Sequence, residues 1–356
     1  MPDEARLAGA FLVALTAVWI LTPVARKLAM RTGLYDHPTG YKAHPAPTAC
    51  LGGAAVMGGF LVAVVAFGED LSRFWPILAG AIGLTAVGTL DDRYAVPPRY
   101  RIAAEVGAAA LLWHYGLGWT FLGSRFEELV LTSIWIVGFT NAFNLMDNMD
   151  GAASTVGAVC AAGIAAQALV VGNDEGVAVI ALALAGACLG FLRYNLRAGA
   201  PASIFLGDGG SMPIGFVVAA LPMTIPVDER LGWPVLLVAA LLLGVLVLDT
   251  MLVVVSRTRR GVALVTAGRD HLTHRLRVKL ASPRAVAVAL ALIQAAVSVV
   301  AIVAAQIGRT SIIAAALSCL TAGALIVALL DSPRWAASGW RAIAYEKREE
   351  RSTSEV

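Results

Sequence analysis

The residues best equipped for chemistry in this chain are acids and amides that interrupt otherwise apolar sequence. Asp91 and Asp92 stand side by side after an apolar run ending at Leu90. The segment NAFNLMDNMDG spaces Asn141, Asn144, Asp147 and Asp150 by three, so a continuing helix would line two amides and two carboxylates along one face. Helix caps and a turn at Gly151 are the alternative. In FLGDGGSMPIG, Asp208 lies between Gly207 and Gly209 at the entry to another apolar run. Open helix N-terminal amides there would favour a phosphate, and an acid among glycines could hold a metal. Ser211 offers the simpler reading of a cap, and no lysine of a Walker-type loop is present. GRDHLTHRL brings His271 and His274 within three residues, beside Arg269 and Arg275. Two histidines without a third ligand make a poor zinc site.

Clustered carboxylates repel one another unless a cation neutralises them. Oxygen ligands flanked by Arg and Lys point to Mg²⁺, with Mn²⁺ as an alternative ion, and to a phosphorylated substrate. Mg²⁺ is usually held by one or two carboxylates together with phosphate oxygens and water.

The elements that must gather these residues are apolar. Of 356 residues, 58% are hydrophobic and 14% charged, where a soluble domain carries about a quarter charged. Apolar runs recur at about 7–24, 49–68, 74–90, 102–119, 128–143, 152–171, 177–192, 210–226, 233–255, 285–307 and 310–331. Each approaches the ~20 residues that cross a hydrocarbon core. The expectation is an all-α bundle of ten or eleven membrane helices over 1–332, its first run an uncleaved span, followed by a tail over 333–356. Trp335, Trp340 and Tyr345 alternate there with basic residues, which suits either a helix in the headgroup layer or a solvated end.

Lys and Arg divide unevenly between the two sets of loops, 22 against 5 of the 27 present. The positive-inside rule then puts the N-terminus outside and the C-terminus in the cytoplasm of a plasma-membrane protein. All the acid and histidine motifs fall on the cytoplasmic side. A formal charge of +3 argues against nucleic acid as partner, and Cys50, Cys160, Cys188 and Cys319 lack the spacing of a zinc site or disulfide scaffold.

In this order the motifs resemble the polyprenyl-phosphate N-acetylhexosamine-1-phosphate transferases. DHPTGYKAHPAPTACLGG is similar to the family's first cytoplasmic loop, with Lys42 and His44. GTLDDRYAVPPRYRIAAE is similar to its paired-aspartate motif with Arg99 and Arg101, and NAFNLMDNMDG and FLGDGGS to its nucleotide and metal motifs. LDTMLVVVSRTRRG, containing Asp249, and GRDHLTHRL are similar to its last catalytic loop. Three positions depart from the pattern: Asn148 where glycine is common, Glu105 where glutamine is common, and Thr273 in place of a histidine.

The resemblance implies attack by polyprenyl phosphate on a UDP-N-acetylhexosamine, giving polyprenyl diphosphate-sugar and UMP. It further implies catalytic duties for Asp91, Asp92, Asp150 and His271, and metal ligation by Asp208 with Asp147. Substrate contacts fall to Lys42, Arg99, Arg101, Asn144, Asp147, Phe205, Gly207, Arg269 and His274. The short aspartate loop is closer to the branch that transfers GlcNAc-1-phosphate than to the UDP-MurNAc-pentapeptide enzymes. A secondary transporter is the rival class, disfavoured because the acids cluster at one membrane face rather than at mid-bilayer. Small-residue helix faces are compatible with a homodimer without requiring one.

Overall fold

The computed structural model describes residues 3–36, 47–226, 231–264, 268–332 and Trp335. Each apolar run is helical. The helices are α1 (Asp3–Thr32), α2 (Gly52–Phe67), α3 (Leu71–Tyr94), α4 (Pro98–His114), α5 (Arg125–Met146), α6 (Ala152–Gln167, continued by a π turn to Gly172) and α7 (Glu175–Asn195). They continue as α8 (Asp208–Thr224), α9 (Val235–Leu242), α10 (Gly244–Arg260), the short α11 (Leu272–Arg277), α12 (Pro283–Ile307) and α13 (Arg309–Leu330). Three very short strands, β1 (Tyr35–Asp36), β2 (Thr48–Cys50) and β3 (Ile204–Phe205), form a sheet at one end, with β2 central, antiparallel to β1 and parallel to β3.

Seven helices among the described residues are long and apolar enough to cross a membrane, and the α9–α10 pair makes an eighth if counted as one bent span. This is fewer than the eleven runs suggest. Helices α2, α4 and α8 have only 16 or 17 residues, about 24–26 Å at 1.5 Å per residue, short of a ~30 Å hydrocarbon core. Helix α8 is short because it is central rather than because it lies at the surface. All of it but Asp208 and Met223 is buried, packed chiefly against α3 and α5, and a helix apolar on every side belongs in such a position. Helix α13 is its opposite, with only Ile312, Val327 and Leu330 buried.

The run at 233–255 breaks at Leu243 with an 81° bend between α9 and α10. The broken backbone is satisfied by one buried side chain from α12. Gln294 accepts from Val245 N–H at 2.9 Å and donates to the carbonyls of Leu241 and Leu242 at 3.2 and 2.9 Å. An unpaired peptide group away from water would cost several kcal/mol, so the amide explains how the break persists.

Close packing at the sheet end depends on glycine. A Cβ on Gly53 of α2 would lie 2.2 Å from Gly210 N, and one on Gly88 of α3 would lie 2.3 Å from Asp208 O. The start of α8 is thereby clasped between two helices. At the opposite end, Arg6 pairs with Glu69 and Glu175, and Arg73 with Asp174 at 2.6 Å, tying the starts of α1, α3 and α7 to the end of α2.

Candidate active site

The end of α3, the start of α4, the end of α5 and the start of α8 meet beside the small sheet, and their polar residues converge on Arg101. Its guanidinium Nη1 lies 2.7 Å from Asp91 Oδ2 and 3.0 Å from Asp208 Oδ2, while Nη2 donates to Asn144 Oδ1 at 3.0 Å. Asn144 in turn donates to Asp208 Oδ1 and to Ser211 Oγ, both at 2.8 Å. Four segments distant in sequence thus share one charge-assisted network. Asp91, Asp92, Asp147 and Asp208, which come from three separate segments, thus meet at one place.

Asp92 has a further duty. Its two oxygens accept the N–H groups of Asp208 and Gly209 at 2.9 and 3.1 Å, so it caps α8 from another helix. Gly210 and Ser211 N–H bond to Gly207 O. The amides expected to stand open for a phosphate are therefore already taken, and the glycines serve helix packing instead. Gly207 itself adopts φ +73°, and a Cβ there would meet Asp92 Oδ2 at 2.5 Å.

The three-residue pattern in α5 also stops early. The helix ends at Met146, Asp147 is its C-cap, and the two following acids diverge. Asp147 faces the Gly207 amide, whereas Asp150 accepts from Ala202 N–H at 3.1 Å. Gly151, at φ +77°, donates its N–H to Asn195 Oδ1 at 2.7 Å, and Asn195 also donates to Ile204 O. Asn195 thus holds the aspartate turn against β3. A lone amide ending an apolar run was its only sequence signal.

Burial pushes the Asp147 carboxyl up to about 8, with further contributions from the charges of Asp208, Asp92 and Asp150. One guanidinium faces several carboxylates here, so the cluster is short of positive charge.

The histidine segment approaches from the other side. His271 Nδ1 lies 2.8 Å from Asp249 Oδ2 of α10, and Leu272 N–H donates to Asp249 Oδ1 at 2.6 Å. A carboxylate acceptor fixes the proton on Nδ1. Asp249 is absent from the set of site residues drawn from the sequence, because an acid inside an apolar run gives no hint of which loop it will meet. Burial, followed by the charges of His271 and Arg269, pushes His274 down to about 4, which leaves it neutral near pH 7. Thr273 Oγ1 donates to Asn148 Oδ1, so two of the positions that depart from the family pattern bond to each other and join the histidine segment to the aspartate turn. The third, Glu105, is buried and accepts from Asn141 Nδ2.

Phe205 lies on β3, paired with Cys50 in register, two residues before Gly207. Arg99 is exposed and lies over the neighbouring Tyr100 ring, so the structure does not bring it to Arg101. Arg269 sits half-buried next to Asp270, which is itself paired with Arg257 and Arg260. Lys42 and the tail aromatics Trp340 and Tyr345 lie outside the described residues.

Among the described residues no three Asp, Glu, His or Cys side chains form a ready-made metal site. The donor chemistry nonetheless fits a hard divalent ion. Asp147 and Asp208 are oxygen donors, the charge of Asp208 lying close enough to Asp147 to raise its proton affinity, and Mg²⁺ needs only one or two carboxylates when phosphate and water supply the remainder.

Residues 74–225 match the family model for glycosyl transferase family 4. A probable undecaprenyl-phosphate N-acetylglucosaminyl 1-phosphate transferase of Bacillus subtilis is 31% identical over 76% of this chain and 77% of its own length. A decaprenyl-phosphate N-acetylglucosaminephosphotransferase of Mycolicibacterium smegmatis is 33% identical over 74% of each chain. An undecaprenyl-phosphate alpha-N-acetylglucosaminyl 1-phosphate transferase of Yersinia pestis is 28% identical over 70% of this chain and 71% of its own length. With the paired aspartates, the aspartate turn and the glycine-clasped start of α8 gathered at one end of an apolar bundle, the chain belongs to glycosyl transferase family 4, among the polyprenyl-phosphate hexosamine-1-phosphate transferases.

Proposed function

We propose that this protein transfers GlcNAc-1-phosphate from UDP-GlcNAc to polyprenyl phosphate, at the cytoplasmic face of the plasma membrane. The observation that carries the reading is the Arg101 network, which joins Asp91, Asn144 and Asp208 beside the carboxyl of Asp147. The cytoplasmic assignment rests on the 22-to-5 division of Lys and Arg.

In the reaction an oxygen of the lipid phosphate attacks the β-phosphorus of the UDP-sugar. The new P–O bond forms as the bond between β-phosphorus and the bridging oxygen breaks, and UMP leaves with the electron pair. Such a transfer demands alignment and charge neutralisation more than covalent help. A lipid phosphate with second pKa near ~6 is already largely dianionic at pH 7 and needs little assistance from a base.

Arg101 holds Asp91 and Asp208 in place, and Asn144 orients Asp208 through a hydrogen bond that survives any change in its charge. Asp92 keeps α8 in register. Asp147 and Asp208 would hold Mg²⁺, which when bound supplies positive charge to the diphosphate. Neutral His274 can offer a hydrogen bond without adding charge, and His271, steadied by Asp249, presents a defined tautomer. Membranes carrying the protein, incubated with labelled UDP-GlcNAc, Mg²⁺ and polyprenyl phosphate, should yield lipid-soluble label and an equal amount of UMP. Label taken up into vesicles without release of UMP would instead indicate transport.

A further inference from the structure

Behind the aspartate turn, on the outer side of the bundle, lies a groove of about 720 Å³ between the end of α7, the start of α12 and the first turn of α6. Three arginines, Arg193, Arg197 and Arg284, line it together with Thr155, Leu196 and Val288, and its lining contains no acid. Arg193 lies over the Trp19 ring at 5.0 Å, Arg197 donates to Pro201 O at 3.4 Å, and Arg284 donates to Leu196 O at 3.1 Å. Among the described residues none of the three pairs with a carboxylate, in contrast to Arg6, Arg73, Arg101 and Arg257. The lower wall is apolar and continues onto the face of α12, where Val288 and Leu292 are 57% and 66% exposed.

Guanidinium groups above an aliphatic wall, at the end of membrane helices, match a phosphate headgroup above acyl chains. We propose that this groove binds an anionic glycerophospholipid of the bilayer. The polyprenyl phosphate substrate is a poorer occupant, because Leu196 and the backbone of Gly151 stand between the groove and Asp147. A Cβ on Gly151 would already touch Leu196 at 2.8 Å. The same contacts give the lipid a mechanical role. Thr155 N–H donates to Gly151 O at 3.0 Å, so a bound headgroup braces the turn that carries Asp147 and Asp150. The inference rests on the bundle lying in a bilayer and is independent of the transferase reading.

The test uses the full chain, purified and delipidated in detergent, with phosphatidylglycerol or phosphatidylcholine of identical acyl chains added. Native mass spectrometry and thermal unfolding should show phosphatidylglycerol retained and stabilising, with phosphatidylcholine at least tenfold weaker. The triple variant R193Q/R197Q/R284Q should lose that preference. Ala198→Glu, an exposed loop change at the groove that removes no arginine, should weaken it even if the triple variant fails to fold. Amide exchange at residues 150–156 should slow with phosphatidylglycerol in the parent and not in Ala198→Glu. Equal retention of the two lipids, or a preference unchanged in Ala198→Glu, would overturn the proposal. So would displacement of phosphatidylglycerol by equimolar polyprenyl phosphate, which would assign the groove to the substrate.

Discussion

Arg101 links Asp91, Asp208 and Asn144, and its value lies in what it prevents. Without it Asp91 and Asp208 would face each other uncompensated, and removing one partner of such a group typically costs about 2–5 kcal/mol. Asp208→Asn should therefore lower turnover about 30-fold or more, as a radiolabel transfer assay will show. Asp147 makes a different prediction. Its folded-state affinity for a proton, near pH 8, exceeds that of an unfolded aspartate, near ~3.9. Between these values the folded state holds a proton that the unfolded state has lost, so stability falls as pH rises through the window. A divalent cation that takes the proton's place will bind more tightly toward pH 8. Thermal unfolding with and without Mg²⁺ should thus show a larger stabilisation at about pH 8 than at about pH 6, and equal shifts would remove Asp147 from the metal site.

At the scale of elements, two joints decide whether the histidine segment meets the acids. One is the break between α9 and α10, where Gln294 satisfies three backbone groups. Gln294→Leu should destabilise the protein by about 1–3 kcal/mol, since it leaves buried peptide groups without partners, and denaturation in detergent measures this directly. The other joint is the hydrogen bond from Thr273 to Asn148, which joins α11 to the aspartate turn across 125 residues of sequence. Thr273→Val and Asn148→Ala should each lower kcat more than they raise KM for the sugar nucleotide, and Thr273→Ser should restore it. Because the pair acts as a unit, the double variant should be little worse than either single one. Additive losses would mean that the two segments are positioned independently.

For the whole molecule the governing feature is the separation of its two ends. One end gathers the ends of α1, α3, α5 and α7 with the starts of α2, α4, α6 and α8, as bonds such as Arg93 to Thr32 O and Asp92 to Asp208 N–H require. The other is closed by Arg6 and Arg73 with their acids. Alternation of this kind gathers the paired aspartates, the aspartate turn and Asp208 at one end of the bundle, the end that the proposed function assigns to the cytoplasm from its basic excess. A fluorescent protein fused after Val356 should therefore fluoresce, and alkaline phosphatase fused there should be inactive; the opposite pair of results would invert the orientation.

How far this arrangement was legible from the sequence depends on the range of the forces involved. Apolar runs of span length become helices wherever they sit in a membrane, because backbone polar groups have no other partner there. Fold class and the candidate motifs therefore follow from local composition. Tertiary contacts decided the rest. The helix of Asn141 and Asn144 ends at Met146, and Asp147 and Asp150 part because Gly207 and Ala202 offer them different amides. The glycines around Asp208 admit α2 and α3 rather than a phosphate, and Asp249 becomes a site residue only when His271 folds onto it. Hydropathy acts on each residue separately, whereas a hydrogen bond needs two groups that distant parts of the chain must first bring together.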